Sequence, residues 1–237
     1  MRKIFAISVW GDQLKYVVGA YKQMYLAKYY YPDFERWLFT DEPARYKIDA
    51  TVIKMPKNTD GQFWRFFAAM ENAFILIRDA DSRITFREVA AVTEFSLSAK
   101  KYHIIRDHPY YAIDITPIFA GNMAIKGSYD NKFIYSLINA MNTPYVYENE
   151  QKWLQSHINV ENNEEVFTHS MNEGWFGSSR KSLANPYEFV GNGFDENDFP
   201  IYKNNVSGNE SPFFSEKERL QLPENTKFSQ YPDVKVQ

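Results

Sequence analysis

The sequence predicts an α/β sandwich built on a central, mainly parallel sheet, and three observations predict it. Short apolar runs alternate with segments of helical periodicity along the first half of the chain, the pattern that strand-helix-strand units produce. The run AFILI at 73–77 is apolar at every position, as in a strand covered on both faces. Turn formers such as Gly, Asp and Pro follow the apolar runs and close them.

Residues 3–9, KIFAISV, are the first expected strand and feed the turn Trp10-Gly11-Asp12. From 15 to 31 the positions Tyr16, Val17, Gly19, Ala20, Met24 and Ala27 recur at helical spacing, until Pro32 ends the segment. Strands follow at 36–40 (RWLFT) and 51–55, closed by Pro43 and Pro56. A short helix is expected over 62–72, the buried strand over 73–77, an amphipathic helix over 84–98 and a strand over 102–106. Beyond 110 the pattern loosens to a strand with a Gly-Asn kink at 118–125 and helices at 132–141 and 150–158. Residues 1–202 are expected as one domain. Residues 203–237, polar and rich in turn formers, are expected as a tail packed on it or a linker.

The chain carries 27 Lys and Arg against 30 Asp and Glu, a net charge of -3, so no overall field invites nucleic acid. With 44% hydrophobic residues, among them 19 Phe and 17 Tyr, the chain has ample material for a packed core and is not expected to be disordered throughout. The absence of cysteine rules out disulfides and thiolate metal sites and suits a reducing compartment. No stretch approaches the ~20 apolar residues of a transmembrane helix, and the run after Met1-Arg2-Lys3 is too short for a signal peptide. A soluble, cytoplasmic protein with no transmembrane segment is the expectation, and the sequon Asn205-Val206-Ser207 would then go unused.

The motif that carries chemistry is Asp79-Ala80-Asp81, directly after the strand at 73–77. Parallel strands send their carboxyl ends to one edge, and ligands of open α/β sheets bind there. Two carboxylates one residue apart can face one cation, and an all-oxygen set selects a hard ion, Mn²⁺ or Mg²⁺. Such an ion holds a diphosphate and offsets the charge that develops on it as it leaves. Arg78 and Arg83 flank the motif with charge suited to phosphate. Elsewhere an acidic pair after a strand caps a helix or sits in solvent, so the place of this pair in the fold carries the reading. Phosphatases of the HAD type carry such a pair after their first core strand, where this chain has Ser8-Val9-Trp10.

Segments spread over most of residues 3–202 point to one family. They are Ile7-Ser8-Val9-Trp10-Gly11, Trp37-Leu38-Phe39-Thr40-Asp41, Phe63-Trp64-Arg65-Phe66, Arg78-Asp79-Ala80-Asp81-Ser82-Arg83, Arg106-Asp107-His108-Pro109, Ala120-Gly121-Asn122-Met123 and Tyr187-Glu188-Phe189-Val190-Gly191, the last running into Phe194-Asp195-Glu196-Asn197-Asp198. In them the chain resembles metal-dependent glycosyltransferases of the GT-A fold, within these the group containing the chlorella-virus capsid glycosyltransferase and related bacterial and viral proteins. RDADSR followed by RDHP is the specific combination.

The resemblance implies a GT-A-like (Rossmann-like) three-layer sandwich. It implies transfer of a sugar from a nucleoside diphosphate sugar of UDP or GDP type to a glycan or glycoprotein hydroxyl, with Mn²⁺ or Mg²⁺ as cofactor. The compartment would be a cytoplasm, that of a host cell if the protein is virus-encoded. By the same resemblance Ser8, Val9 and Trp10 meet the nucleoside, and Thr40 and Asp41 meet base or ribose. Arg65 lies near the donor. Asp79 is shared between ribose and metal, and Asp81 is the firmer metal ligand. Gly121 and Asn122 form the wall between donor sugar and acceptor. Glu150-Gln151 stands where many relatives carry Asp-Gln, which makes Glu150 the preferred general base, with Asp107 the other candidate. His169 is the candidate for the late histidine that relatives use as a third metal ligand.

The segment WFGSSRK at 175–181 pairs small residues with two cations. It reads as a mobile loop that brings Arg180 over the diphosphate, or as an ordinary basic turn. His103 reads as a core residue, His157 as helix surface, and His108 as an acceptor contact or a turn residue. Most aromatic positions belong to the core, while Trp10 is placed to stack on a uracil or sugar ring. Two other classes stay open. A nucleotidyltransferase normally shows a Gly-rich basic loop after its first strand, which Trp10-Gly11-Asp12-Gln13 lacks. A catalytically silent nucleotide- or glycan-binding module would share the fold without turnover.

Overall fold

The structure, a computed structural model, describes residues 1–108, 118–158, 163–170, 186–203, 211 and 213–232. Its strands are β1 (Arg2–Val9), β2 (Glu35–Thr40), β3 (Thr51–Lys54), β4 (Ala73–Arg78), β5 (Tyr102–Ile105), β6 (Asn122–Gly127) and β7 (Val166–His169). Its α-helices are α1 (Leu14–Tyr30), α2 (Phe86–Leu97), α3 (Asn131–Met141), α4 (Asn149–Gln155) and α5 (Glu216–Arg219). The strands form one sheet in the order β3-β2-β1-β4-β6-β5-β7. β1 pairs in parallel with both β2 and β4, as do β2 with β3 and β5 with β7. Only β6 runs against its neighbours β4 and β5. The α/β class and the mainly parallel central sheet are therefore as the sequence predicts.

Strand alternation divides the apolar residues between two faces. Ile4, Ala6, Ile75 and Ile77 pack with Phe63, Trp64, Phe66, Phe133, Leu137 and Leu154 on one face. Phe5, Ile7, Phe74 and Leu76 pack with Met24, Ala27, Val92 and Phe95 of α1 and α2 on the other. Every residue of β4 is buried, which is why AFILI shows no polar alternation.

The expected helix over 62–72 forms as a 3-10 helix, Gly61–Met70. Asp60 caps it by accepting from Gln62 N, and the aromatic run behind it is buried nearly throughout. The expected strand over 118–125 starts only at Asn122. Asn122 N donates to Phe119 O, so Gly121-Asn122 is the turn into the strand and not a kink within it. β7, only four residues long, sits at the lower limit of the length at which alternation can be read. Two residues turn back over the α1 face from the chain's end: Phe228, buried against Phe194, and Tyr231, whose hydroxyl donates to Asp198 Oδ1 at 3.0 Å. Among the described residues no helix is long and apolar enough to cross a membrane.

Candidate functional site

The carboxyl ends of β1 and β4 open into a cavity of about 350 Å³, a size suited to a small ligand. β1 contributes Ser8 and the following turn Trp10, α1 contributes Lys15 and Tyr16, and the 3-10 helix contributes Gln62 and Arg65. Asp79 and Asp81 leave β4 into it, Gly121 and Asn122 form a wall, and Glu150 and Gln151 approach from the start of α4.

The Asp79–Asp81 turn is fixed on its backbone side. Ser82 donates from its hydroxyl to Asp79 O at 2.8 Å, and Gln23 of α1 donates to Ser82 Oγ at 2.8 Å. Phe194 N donates to Asp81 O at 2.8 Å. Gly19 lets α1 approach, because a Cβ there would lie 2.4 Å from Ala80 O. Gly121 does the same on the far wall, where a Cβ would lie 1.8 Å from Asp79 Oδ2. A side chain at either glycine would move the acidic turn.

Each aspartate faces its own cation. Arg65 Nη1 pairs with Asp79 Oδ1, and the same Nη1 donates to Arg78 O at 3.1 Å. Lys15 Nζ lies 3.2 Å from Asp81 Oδ2 and 4.3 Å above the ring of Tyr16. Burial raises the Asp81 carboxyl above its usual range against the pull of Lys15. Burial by itself lowers the Lys15 ammonium, and Asp81 and Tyr16 together outweigh it to give a net rise. Glu150 Oε1 sits 3.8 Å from Arg65 Nη2, while Oε2 is buried and makes no hydrogen bond among the described residues. Burial pushes the Glu150 carboxyl up to about 7, opposed by Arg65 and assisted by Asp79. His108 is buried beside the rings of Phe119, Phe189 and Tyr202, and burial brings it down to about 4.

The remaining predicted residues divide plainly. Ser8 Oγ accepts from Arg65 N at 2.8 Å, so it positions the arginine from within the cavity. Trp10 stacks near Tyr16 and packs on Gly61, where a Cβ would come within 2.4 Å of its ring. Val9 points into the core beneath α1. Thr40 accepts from Glu42 N through its hydroxyl. Neither Thr40 nor Asp41 is among the lining residues; β2, which ends at Thr40, lies on the far side of β1 from β4 in the sheet. Asp107 does not reach the cavity either; its carboxylate is held by both Arg87 Nε and, at 2.7 Å, Arg87 Nη2. His169, expected near Asp81, instead lies on β7 at the far side of the sheet. Its Nδ1 is 2.7 Å from His103 Nε2 and its Nε2 is 3.0 Å from Glu94, so both ring nitrogens are engaged away from the acidic turn. Arg180 and the segment 175–181 lie outside the described residues.

Two further expectations are corrected. Arg78 and Arg83 are not phosphate ligands in waiting. Arg78 is buried against Glu88 at 2.8 Å and donates to Met123 O. Arg83 is buried against Asp198 at 3.1 Å and donates to the carbonyls of Asp81 and Ser82. Lys15, paired with Asp81, brings cationic charge to the cavity instead, and the sequence reading passed over it as the first residue of an expected helix. Tyr145, Tyr147 and Tyr202 were missed as well. They rim the mouth of the cavity, and no periodicity marks loop residues of this kind.

Among the described residues no three His, Asp or Glu side chains gather to hold a metal ion. Asp79 and Asp81 do face one cavity together. Two carboxylates with the remaining positions left to phosphate and water are a donor set that suits Mg²⁺ or Mn²⁺, so the residues fit such an ion.

The architecture is a mainly parallel α/β sheet whose candidate cavity lies at the carboxyl ends of its parallel strands, the edge at which ligands of open α/β sheets bind. No protein-family model matches the chain, and no curated protein sequence matches it. Among solved structures it is similar to a Bacillus anthracis protein provisionally assigned as a glucose-1-phosphate thymidylyltransferase, at 11% identity and a TM-score of 0.45, over 72% of this chain and 87% of that one. It is similar to a 4-diphosphocytidyl-2C-methyl-D-erythritol synthase from Anaerococcus prevotii, at 12% identity and a TM-score of 0.42, over 71% and 87%. It is also similar to a glycosyltransferase involved in glycosylating the major capsid of PBCV-1, at 14% identity and a TM-score of 0.37, over 70% and 81%. At these scores the likenesses leave function to the geometry of the site.

Proposed function

We propose that the protein transfers a sugar from a nucleoside diphosphate sugar to a hydroxyl of a glycan or glycoprotein acceptor. The observation that carries this reading is the convergence of Asp79, Asp81 and Glu150 with Arg65 and Lys15 on one cavity at the carboxyl edge of β1 and β4. Carboxylates alone would suit a cation, and cations alone an anion. Their combination suits a charged diphosphate beside a proton-accepting group.

Asp79 and Asp81 would hold Mn²⁺ or Mg²⁺, which when bound offsets negative charge on the departing diphosphate. Arg65, fixed by Ser8 and Asp79, presents a second positive group that needs no rearrangement as charge develops. Trp10 and Tyr16 offer a flat apolar surface on the β1 side of the cavity for a base or sugar ring. Glu150 accepts the acceptor's proton through Oε2, whose lone pairs have no other partner among the described residues. A carboxyl near pH 7 is well matched to that proton.

A nucleotidyltransferase is the second reading, favoured by the start of α1. Gln13 gives that helix no side-chain cap, its first turn holds no acid, and Lys15 is in it, an arrangement that welcomes phosphate. The two reactions release different products, nucleoside diphosphate in one and pyrophosphate in the other. Incubation with Mn²⁺ and a panel of nucleotide sugars, followed by product analysis, should give nucleoside diphosphate. Pyrophosphate released in a parallel incubation with nucleoside triphosphate and sugar phosphate would overturn the sugar-transfer reading, and neither product in either incubation would leave a silent binding module. The matching binding test is thermal stabilisation by UDP or GDP that appears with Mn²⁺ and vanishes with chelator.

A further inference from the structure

The two cations facing the acidic turn are held very differently. Arg65 is buried, shares one nitrogen between Asp79 and Arg78 O, and is tied to β1 through its backbone N–H on Ser8. It cannot leave without opening the core. Lys15 projects from the first turn of α1 with 29% of its side chain exposed. Its contacts are Asp81 Oδ2 and the face of Tyr16, and its four-carbon stem is free to swing across the cavity it lines.

The charge of the turn is balanced within the chain: two carboxylates and two cations. A divalent ion bound to Asp81 at ~2.1 Å would meet the Lys15 ammonium, which lies 3.2 Å from Oδ2 of the same carboxylate, and the two like charges would repel. We propose that Lys15 is an exchangeable counter-cation, which occupies Asp81 when no ion is bound and passes to the diphosphate when an ion takes its place. The inference rests on the metal-diphosphate reading above and adds a coupling to it. Ion and diphosphate then bind cooperatively, because the diphosphate draws off the group that blocks the ion, and the ion releases the group that the diphosphate needs. Coupling of this kind is reciprocal, so either ligand reports it. Asp79 offers no such exchange, because Arg65 is fixed.

The test is Mn²⁺ binding by calorimetry to the intact chain and to Lys15→Met, each with and without inorganic pyrophosphate as probe. Met keeps the apolar stem and removes the charge. In the wild type, pyrophosphate should tighten Mn²⁺ binding. In Lys15→Met, Mn²⁺ alone should bind about tenfold tighter than in the wild type, and most of the tightening by pyrophosphate should be gone. In an Asp81→Asn background, Lys15→Met should change Mn²⁺ affinity no further. Equal Mn²⁺ affinity in wild type and Lys15→Met, with pyrophosphate coupling intact, would overturn the exchange while leaving the metal-diphosphate reading in place. Absence of Mn²⁺ binding from both proteins, with or without pyrophosphate, would overturn both. Lys15→Gln serves as the second variant if the Met form does not fold.

Discussion

The cavity has two unlike halves. On one side Asp79 and Asp81 at the end of β4 and Arg65 of the 3-10 helix are all tied to buried backbone or to each other. On the other, the loop from α3 to α4 carries Tyr145, Val146 and Tyr147, with 58%, 51% and 57% of their surface exposed. That loop hangs on Gln62, which donates to Val146 O at 3.1 Å and accepts from Glu148 N at 3.3 Å. It ends at Glu148, held at φ 64°, where a side chain costs energy that glycine would not. The rigid half can hold charge in place, and the exposed half can reshape around a ring or an acceptor. Glu150 sits where they meet, on the first turn of α4 and 3.8 Å from Arg65.

The contrast can be broken at several points. The largest effect is expected at the junction. Glu150→Gln should lower kcat by ~10²–10⁴ while sparing donor binding, and normal turnover would move the base elsewhere. Wild-type kcat should fall as pH drops through about 7, because the carboxyl protonates and can no longer accept a proton; Glu150→Gln should lose that limb.

Next comes the rigid half. Leu76→Ala should cost ~2–5 kcal/mol in chemical denaturation, since Leu76 is fully buried in the middle of β4. His108 sets the acid side. Its pKa in the folded protein, about 4, lies below the ordinary value, so the unfolded chain binds the proton first. The stability that neutral His108 contributes is present above about 6.5 and is lost as pH falls toward 4, by about 3 kcal/mol at most. The lowered His103 and His169 act in the same direction. His108→Gln should flatten this part of the stability–pH curve, and an unchanged curve would assign the loss to the other two.

A smaller effect is expected at the far wall. Gly121→Ala should weaken nucleotide binding about tenfold with little change in Tm, because the added methyl displaces the Asp79 carboxylate rather than core atoms. The smallest belongs to the exposed half: Tyr145→Ala should leave stability within ~0.5 kcal/mol while altering acceptor use. A stability loss comparable to that of Leu76→Ala would show that the two halves do not differ as described.

The same division explains what could be read from the sequence. The strands around Asp79 announce themselves because burial on both faces makes them apolar at every position, and Asp79-Ala80-Asp81 stands out at the end of such a run. Lys15 did not, because a lysine in a helix reads as solvated surface until the partner across the turn is known. Arg78 and Arg83 misled for the opposite reason: their charge is visible in the sequence, while the Glu88 and Asp198 that consume it are not. Asp107 and His169 were brought in by spacing and resemblance, yet their partners Arg87, His103 and Glu94 come from other elements. Tyr145 and Tyr147 belong to a loop, where no repeat distance constrains side-chain direction.

The clasp on the acidic turn also sets an order of assembly. Arg83 and Asp198 are 115 residues apart in sequence, and Phe194 supplies the hydrogen bond to Asp81 O. During synthesis β1 to β4 are complete before either partner has been made. The local sheet contacts that fix Asp79 can form early, whereas those that fix Asp81 must wait for a long loop to close. The aspartate whose counter-cation can move is thus also the one whose backbone is secured last.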